Sequence, residues 1–446
     1  MRKRGRVGLM AAALVALVAS AATAEVTTDQ SASILVFPKV IADGTRETVI
    51  QITNTSNSMV HAHCFYVNGA LTFPDEPPGP FNPPQWVELD FDIWLTKQQP
   101  TYWVASQGRL VDPEEYPCSN DPPNYECFNA GFDPGRVPPV VENFTGELKC
   151  IEVDASGAPL SGNHLKGEAT IVTAQQCDHI EGSRRGICRG SEGQDQCDDL
   201  ENCSEAIYCE VADDCPGTTG DVMKYNALGV IGLETNNGDN ILCLGGPPTD
   251  QCPNGAEYNA CPQTWILNHL SDGAPDTFLD DIDLRKMLGD AGGAAGRRET
   301  PFPVFTDITV VPCAQDFETQ IPETVTIQFA ITNEFEQPFS ASTSVTCWAE
   351  LNLADINQVF RRDFVGSDYL QTRMRPSSGT NSGFMVVADE THEIQLLYAP
   401  SGEAGGLSNG PILRRVPSAV AAVNVHVEGE RPGPDLIVIP AEQTQP

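Results

Sequence analysis

Basic residues, Cys-x-x-Cys pairs and long apolar runs are all scarce in this sequence, and each scarcity argues against a class of function. Lys and Arg total 26 against 61 Asp and Glu, a formal net charge of −35. Phosphate backbones are held by concentrated basic side chains, so no nucleic-acid partner is expected. Beyond Ala24 no stretch approaches the ~20 consecutive apolar residues that cross a bilayer as a helix, so no membrane span is expected either. Fifteen cysteines are present, yet no two of them form a Cys-x-x-Cys pair. Zinc ribbons and c-type haem attachment depend on that pairing, so the cysteines read as disulfides and no resident cofactor is expected apart from calcium. The Walker pattern, the dinucleotide glycine fingerprint and His-Glu-x-x-His are also missing. Among 61 acidic residues no carboxylate pair is singled out for glycoside hydrolysis, so no catalytic residue is nominated.

What is present begins at the N-terminus. Arg2, Lys3, Arg4 and Arg6, then the apolar run from Leu9 to Ala19, then Ala22-Thr-Ala24 give the three-part pattern of a secretory leader, residues 1–24, cleaved before Glu25. A secreted, periplasmic or cell-surface location follows, where disulfides persist. The economical pairing joins Cys118 to Cys127, Cys252 to Cys261, Cys313 to Cys347 and Cys64 to Cys150, and leaves Cys243 over. Six more cysteines, Cys177, Cys188, Cys197, Cys203, Cys209 and Cys215, crowd into one acidic, Gly-rich segment without aliphatic runs. Such a segment builds no core of its own and is expected to be stapled internally.

Period-two patterns dominate the rest. Phe91, Ile93 and Leu95 alternate with Asp92, Trp94 and Thr96, and Val325, Ile327, Phe329 and Ile331 alternate with Thr326, Gln328, Ala330 and Thr332. Each is a strand with one buried face. Asn54 to Asn57 and Asp154 to Gly157 carry turn residues, and each is expected to close a hairpin. Ile52-Thr-Asn54 and Ile331-Thr-Asn333 suggest a short internal repeat. Helix is expected only over 278–288 and 351–360. The fold class expected is mainly β: two antiparallel immunoglobulin-like or jelly-roll-like sandwich lobes, 25–145 and 297–446. Between them lie β hairpins, 146–290, carrying the cysteine-rich insertion, 173–221.

Two ligand sites suggest themselves. Trp86, Trp94 and Trp103, with Tyr102, would make an aromatic platform for sugar. Asp276, Asp280, Asp281 and Asp283 present the oxygen ligands that calcium prefers, without the EF-hand spacing. His61 and His63 share one face of a strand, but no third metal ligand can be assigned beside them.

The blocks Ile34-Leu-Val-Phe-Pro-Lys-Val40, Ile50-Gln-Ile-Thr-Asn-Thr-Ser56 and Asp90-Phe-Asp-Ile-Trp-Leu95 resemble exported bacterial proteins built on immunoglobulin-like β-sandwiches. That resemblance covers the N-terminal third and implies a surface or periplasmic β protein; it carries no catalytic residues across. The first functional expectation is therefore a structural or interaction module, adhesion-like, whose partner is a protein or a cell-surface glycan. Calcium-assisted carbohydrate binding is the second, and a secreted hydrolase without a recognisable motif the third.

Overall fold

The computed structural model describes residues 26–44, 46–73, 82–109, 135–173, 222–275, 303–396, 412–422 and 425–440. The leader, the six-cysteine segment, Cys118, Cys127 and the four nominated calcium ligands lie outside them. Strands come first as β1 (Ile34–Ala42), β2 (Arg46–Asn54), β3 (Val60–Asn68), β4 (Val87–Leu95), β5 (Pro100–Val104), β6 (Phe144–Val153), β7 (Leu165–Thr173), β8 (Val222–Asn226) and β9 (Leu228–Val230). These nine form one antiparallel sheet folded over at the corner where Ala42 pairs with Glu47. One layer runs β4-β3-β6-β1-β9, and the other holds β5, β2, β7 and β8. Leu35, Phe37, Tyr66, Phe91, Ile93 and Leu148 of the first layer pack on Ile50, Ile52, Trp103 and Ala169 of the second.

The fold is mainly β and sandwich-like, as the alternation predicts, but the two expected hairpins do not form. Strand β3 pairs with β4 and β6, not with β2, and β7 pairs with β2 and β8, not with β6. At both places the chain crosses between layers. The turn chemistry is nevertheless present: Asn54 Oδ1 accepts from Ser56 N (2.8 Å), and Asp154 Oδ1 accepts from Ser156 N (2.7 Å). Such side-chain turns reverse the chain locally without choosing the strand that receives it.

The remaining strands are β10 (Ile241–Leu244), β11 (Pro262–Leu270), β12 (Val304–Pro312), β13 (Gln315–Asp316), β14 (Thr324–Asn333), β15 (Pro338–Thr346), β16 (Ala349–Asn352), β17 (Tyr369–Pro376), β18 (Phe384–Leu396), β19 (Ile412–Ala422), β20 (Val425–Glu430) and β21 (Asp435–Val438). A five-stranded sheet, β15-β14-β17-β11-β20, faces a four-stranded one, β16-β12-β18-β19. Trp265, Ile327, Phe329, Ile331 and Met374 pack against Ile308, Val310, Phe384 and Val386 between them. A small third sheet, β10-β21-β13, closes one side. The strands within 146–290 are thus shared, β6 to β9 joining the first sandwich and β11 the second. Where helix is expected over 351–360, β16 takes the first two residues. A four-residue helix, Leu353–Ile356, and a 3-10 turn, Gln358–Phe360, follow, each capped by an Asn side chain, Asn352 and Asn357. Among the described residues no helix is long and apolar enough to cross a membrane.

The two sandwiches share one core. Every residue of β1 and β3 is buried, because the outer face of their layer (Ile34, Val36, Phe65, Val67, Ile151) joins the cluster that contains Trp265, Phe317 and Phe329. That interface also encloses charge. Lys39 Nζ meets Glu350 Oε1 at 2.7 Å and Asp389 Oδ1 at 2.9 Å, and Arg46 Nη1 meets Glu350 at 3.1 Å. Nearby, Gln315 bridges the buried pair Glu147 and Lys149, donating to the first and accepting from the second.

Burial pushes the Asp389 carboxyl up to about 6; Lys39 opposes this, while Glu350 and Asp307 add to it. For Glu350, burial is outweighed by Lys39 and Arg46, which hold it down to about 2. The folded state therefore binds the Asp389 proton more tightly than the unfolded chain does. This group's contribution to stability rises as pH falls from about 6 toward the ordinary aspartate value of 3.8, and is level above 6. In Asp389→Asn that slope is removed, so the urea midpoint of the variant minus that of the parent should shrink as pH falls from about 7.5 to 4.5. A difference independent of pH would show that the carboxyl is not raised.

Candidate binding face

Alternation sets which side chains of the five-stranded sheet face outward. On β14 the apolar residues turn inward, leaving Thr326, Gln328, Ala330 and Thr332 outward. Their registered partners are Ser344, Ser342, Ser340 and Pro338 on β15; on β17, Arg375, Arg373 and Gln371 stand opposite Gln328, Ala330 and Thr332. Strand β11 adds Asn268 opposite Gln371, and β20 adds His426 and Glu428. The outward side of the five-stranded sheet therefore carries hydroxyls, amides, two guanidinium groups, His426 and Glu428, interrupted by Ile266 between Arg373 and His426 and by Ala330 and Pro338. Its side chains are held in place: Thr326 Oγ1 and Ser344 Oγ lie 2.9 Å apart, Gln371 Nε2 donates to Asn268 Oδ1 (3.1 Å), and Arg375 Nε donates to Thr264 Oγ1 (2.9 Å). Arg373 Nη1 reaches Glu428 Oε2 at 3.2 Å.

One end of this field carries exposed aromatics. Phe335 is 65% exposed at the β14–β15 turn, and Tyr369 (46%) opens β17 on the outward side of the sheet. Polar ties hold this turn to the segment before β17. Asn333 Nδ2 donates to Val365 O (3.0 Å), and Ser367 Oγ donates to Glu334 Oε2 (2.7 Å). Phe364 (48% exposed) packs instead on the inward side, meeting Phe339 edge to face with ring centres 6.2 Å apart.

The aromatic platform expected from the sequence is not assembled. Trp103 is core, its Nε1 donating to Tyr66 Oη (2.6 Å), because period two turns it inward and leaves Tyr102 outside. Trp86 is buried and stacks toward Phe317, ring centres 6.2 Å apart. Only Trp94 keeps an outward face, stacked on His61 at 4.0 Å. His61 and His63 do find acidic neighbours. His61 Nε2 lies 2.8 Å from Asp92 Oδ1, and His63 sits 3.6 Å from Asp92 and 3.5 Å from Asp90 through its two different ring nitrogens. Of these contacts only His61–Asp92 has hydrogen-bond length, and the two nitrogens of His63 face separate carboxylates, so the groups do not form a converging donor set. The remaining buried histidine, His269, is held down to about 4 by burial and bonded to Thr372 Oγ1 (2.9 Å), a neutral core residue.

Cysteine pairing corrects the expectation at three places. Cys64 and Cys150 are joined as expected, on opposed residues of β3 and β6. Cys243 is not left over; it pairs with Cys252, and Cys261 pairs with Cys313, leaving Cys347 as a buried thiol. Cys252 lies nine positions from both Cys243 and Cys261, so spacing cannot choose between them. Topology does: Cys313 N donates to Gly383 O (3.0 Å), and Cys261 Sγ lies 3.6 Å from the next carbonyl, Phe384 O. Both cysteines are thereby delivered to the start of β18.

The residues that sequence reasoning passed over are Phe335, Phe364, Tyr369, Gln371, Arg373 and Arg375. A signal for the last four was present, since Tyr369, Gln371, Arg373 and Arg375 alternate with Leu370, Thr372 and Met374. The Gly-x-Ser-x-Gly pattern, expected to be absent, does occur, as Gly406-Leu-Ser408-Asn-Gly410, outside the described residues. Comparison of the sequence with protein-family models and with curated proteins gives no match.

Proposed function

We propose that the chain is an exported, adhesion-like binding module that holds an extended surface glycan against the outward side of the five-stranded sheet. The observation that carries this reading is the union of two features on one rigid body, a field of fixed hydroxyl and amide groups and an exposed aromatic end. Sugars present both faces of that chemistry: ring hydroxyls that exchange hydrogen bonds with Ser, Thr, Gln and Asn, and apolar C–H faces that stack on aromatic rings. Strand spacing of about 4.8 Å and an i to i+2 repeat of about 6.8 Å give the face a regular lattice, suited to a repeating ligand. Disulfides within the sandwiches, such as Cys64–Cys150, support the exported location. Any part played by calcium would fall to Asp276, Asp280, Asp281 and Asp283.

Retention of the oxidised protein on insoluble polysaccharides and cell-wall preparations, with calcium and with chelator, tests the reading. Phe335→Ala with Tyr369→Ala is expected to weaken retention roughly tenfold or more, as truncation of aromatic anchors does, while Trp94→Ala leaves it unchanged. Equal retention of the parent and the double variant would remove the face from consideration. Loss caused by chelator alone would shift the site to the acidic segment.

A further inference from the structure

We propose that Cys261, Cys313 and Asp435, once the disulfide is reduced, bind a thiophilic divalent cation, zinc, inside the second sandwich. Both sulfurs and a carboxylate oxygen of Asp435 lie within 4.8 Å of one another, and all three residues are buried. Zinc held at about 2.3 Å by sulfur and about 2.0 to 2.2 Å by oxygen needs donors that converge on this scale. The sequence gives no hint of it, because the three come from the starts or ends of different strands, β11, β12 and β21.

Asp435 supplies the second observation. Its Oδ1 accepts from Arg431 Nη1 (2.7 Å) and from Gly383 N (2.8 Å). The other oxygen, Oδ2, is buried with no hydrogen-bond partner among the described residues. A buried carboxylate oxygen without a donor is costly, and a cation beside it removes the cost.

Charge balances in both states. With the disulfide formed, Asp435 and Arg431 neutralise each other. After reduction and metal binding, two thiolates and one carboxylate carry −3, while zinc and Arg431 carry +3, so the interior again holds no net charge. The reductant is a dithiol: it delivers two electrons and two protons to the S–S bond, leaves as its own cyclic disulfide, and yields two thiols. Zinc then displaces both thiol protons to solvent. The site is thus closed while oxidised and open to metal when reduced, and it is independent of the glycan reading.

The test uses the full mature chain. After reduction without denaturant, zinc is added, excess is removed, and bound metal is counted with a chromophoric chelator; cobalt(II) replaces zinc for spectroscopy. The parent is expected to hold one equivalent more than Cys261→Ser/Cys313→Ser and to show a thiolate-to-cobalt charge-transfer band that the variant lacks. Asp435→Asn, nearly isosteric, should bind at least about tenfold more weakly. Alkylation of the parent, mapped by mass spectrometry, needs no variant to fold: zinc should slow labelling of Cys261 and Cys313. Equal stoichiometry in parent and double-serine variant, or labelling of Cys261 and Cys313 at the same rate with and without zinc, would overturn the proposal.

Discussion

Replacing Lys39 by Met is expected to cost about 3 to 5 kcal/mol of stability, the effect seen when one member of a buried ion cluster is removed. Lys39 is 3% exposed and reaches Glu350 and Asp389 together; Asp389, its side chain 10% exposed, depends on it most, because Glu350 also keeps Arg46. Burial works against the ammonium, yet the two carboxylates outweigh it and hold its pKa well above the ordinary lysine range. The methionine variant keeps the aliphatic volume and strips the charge, leaving Asp389 with Glu350 and Asp307 as its nearest charged neighbours. Because Lys39 belongs to β1 of the first sandwich and its partners to β16 and β18 of the second, the loss should fall on the joint between them. Urea unfolding would show it as a fall in midpoint, with a second transition emerging if one sandwich now opens first. Adding Glu350→Gln and Asp389→Asn to Lys39→Met should recover most of the loss, since it is uncompensated charge that destabilises. An unfolding free energy within about 1 kcal/mol of the parent's for Lys39→Met alone would show the cluster to be incidental.

The same cluster marks the limit of what the sequence discloses. Strands were legible where one face is wet: β14 alternates Val325, Ile327, Phe329 and Ile331 with polar residues, and its bounds are Thr324–Asn333. Strand β4, read over 87–95, runs Val87–Leu95. Strands buried on both faces carry no such alternation, and β1, all buried, hides a lysine in Ile-Leu-Val-Phe-Pro-Lys-Val-Ile-Ala whose partners lie 311 and 350 residues away. Nothing local announces such a contact. The short repeat illustrates the same division. Asn54 and Asn333 each end a strand with the side chain folded back onto neighbouring carbonyls, Asn54 Nδ2 to Ser58 O (2.7 Å) and Asn333 Nδ2 to Val365 O (3.0 Å). The likeness is real at the turn, yet one turn leads across the sandwich and the other into the β14–β15 hairpin. The proposed binding face was missed for a related reason. Tryptophan drew attention as the larger aromatic, but in this chain Trp103 and Trp86 fill cores, while the smaller rings at the β14–β15 turn are left in water.

Loss of the Cys64–Cys150 bond is expected to cost more than loss of Cys243–Cys252, and the difference follows from chain length. The first closes 86 residues and the second nine. In the chain-entropy account a crosslink stabilises by restricting the unfolded ensemble, which gives about 4 to 5 kcal/mol for the long loop and about 2.5 to 3 kcal/mol for the short one. Packing acts in the same direction. Cys64 and Cys150 face each other across β3 and β6 within the core of the first sandwich, so alanine at both also leaves a small void beside Tyr66 and Leu148. The alanine pairs Cys64→Ala/Cys150→Ala and Cys243→Ala/Cys252→Ala, compared by urea unfolding of oxidised protein, should differ by about 1.5 to 2 kcal/mol or more. Equal losses would mean that loop closure is not what these bonds contribute. A larger loss at Cys243–Cys252 would place the sensitive region in the small β10-β21-β13 sheet, where Cys243 pairs with Leu436 of β21 and Glu257 N and Tyr258 N both donate to its carbonyl.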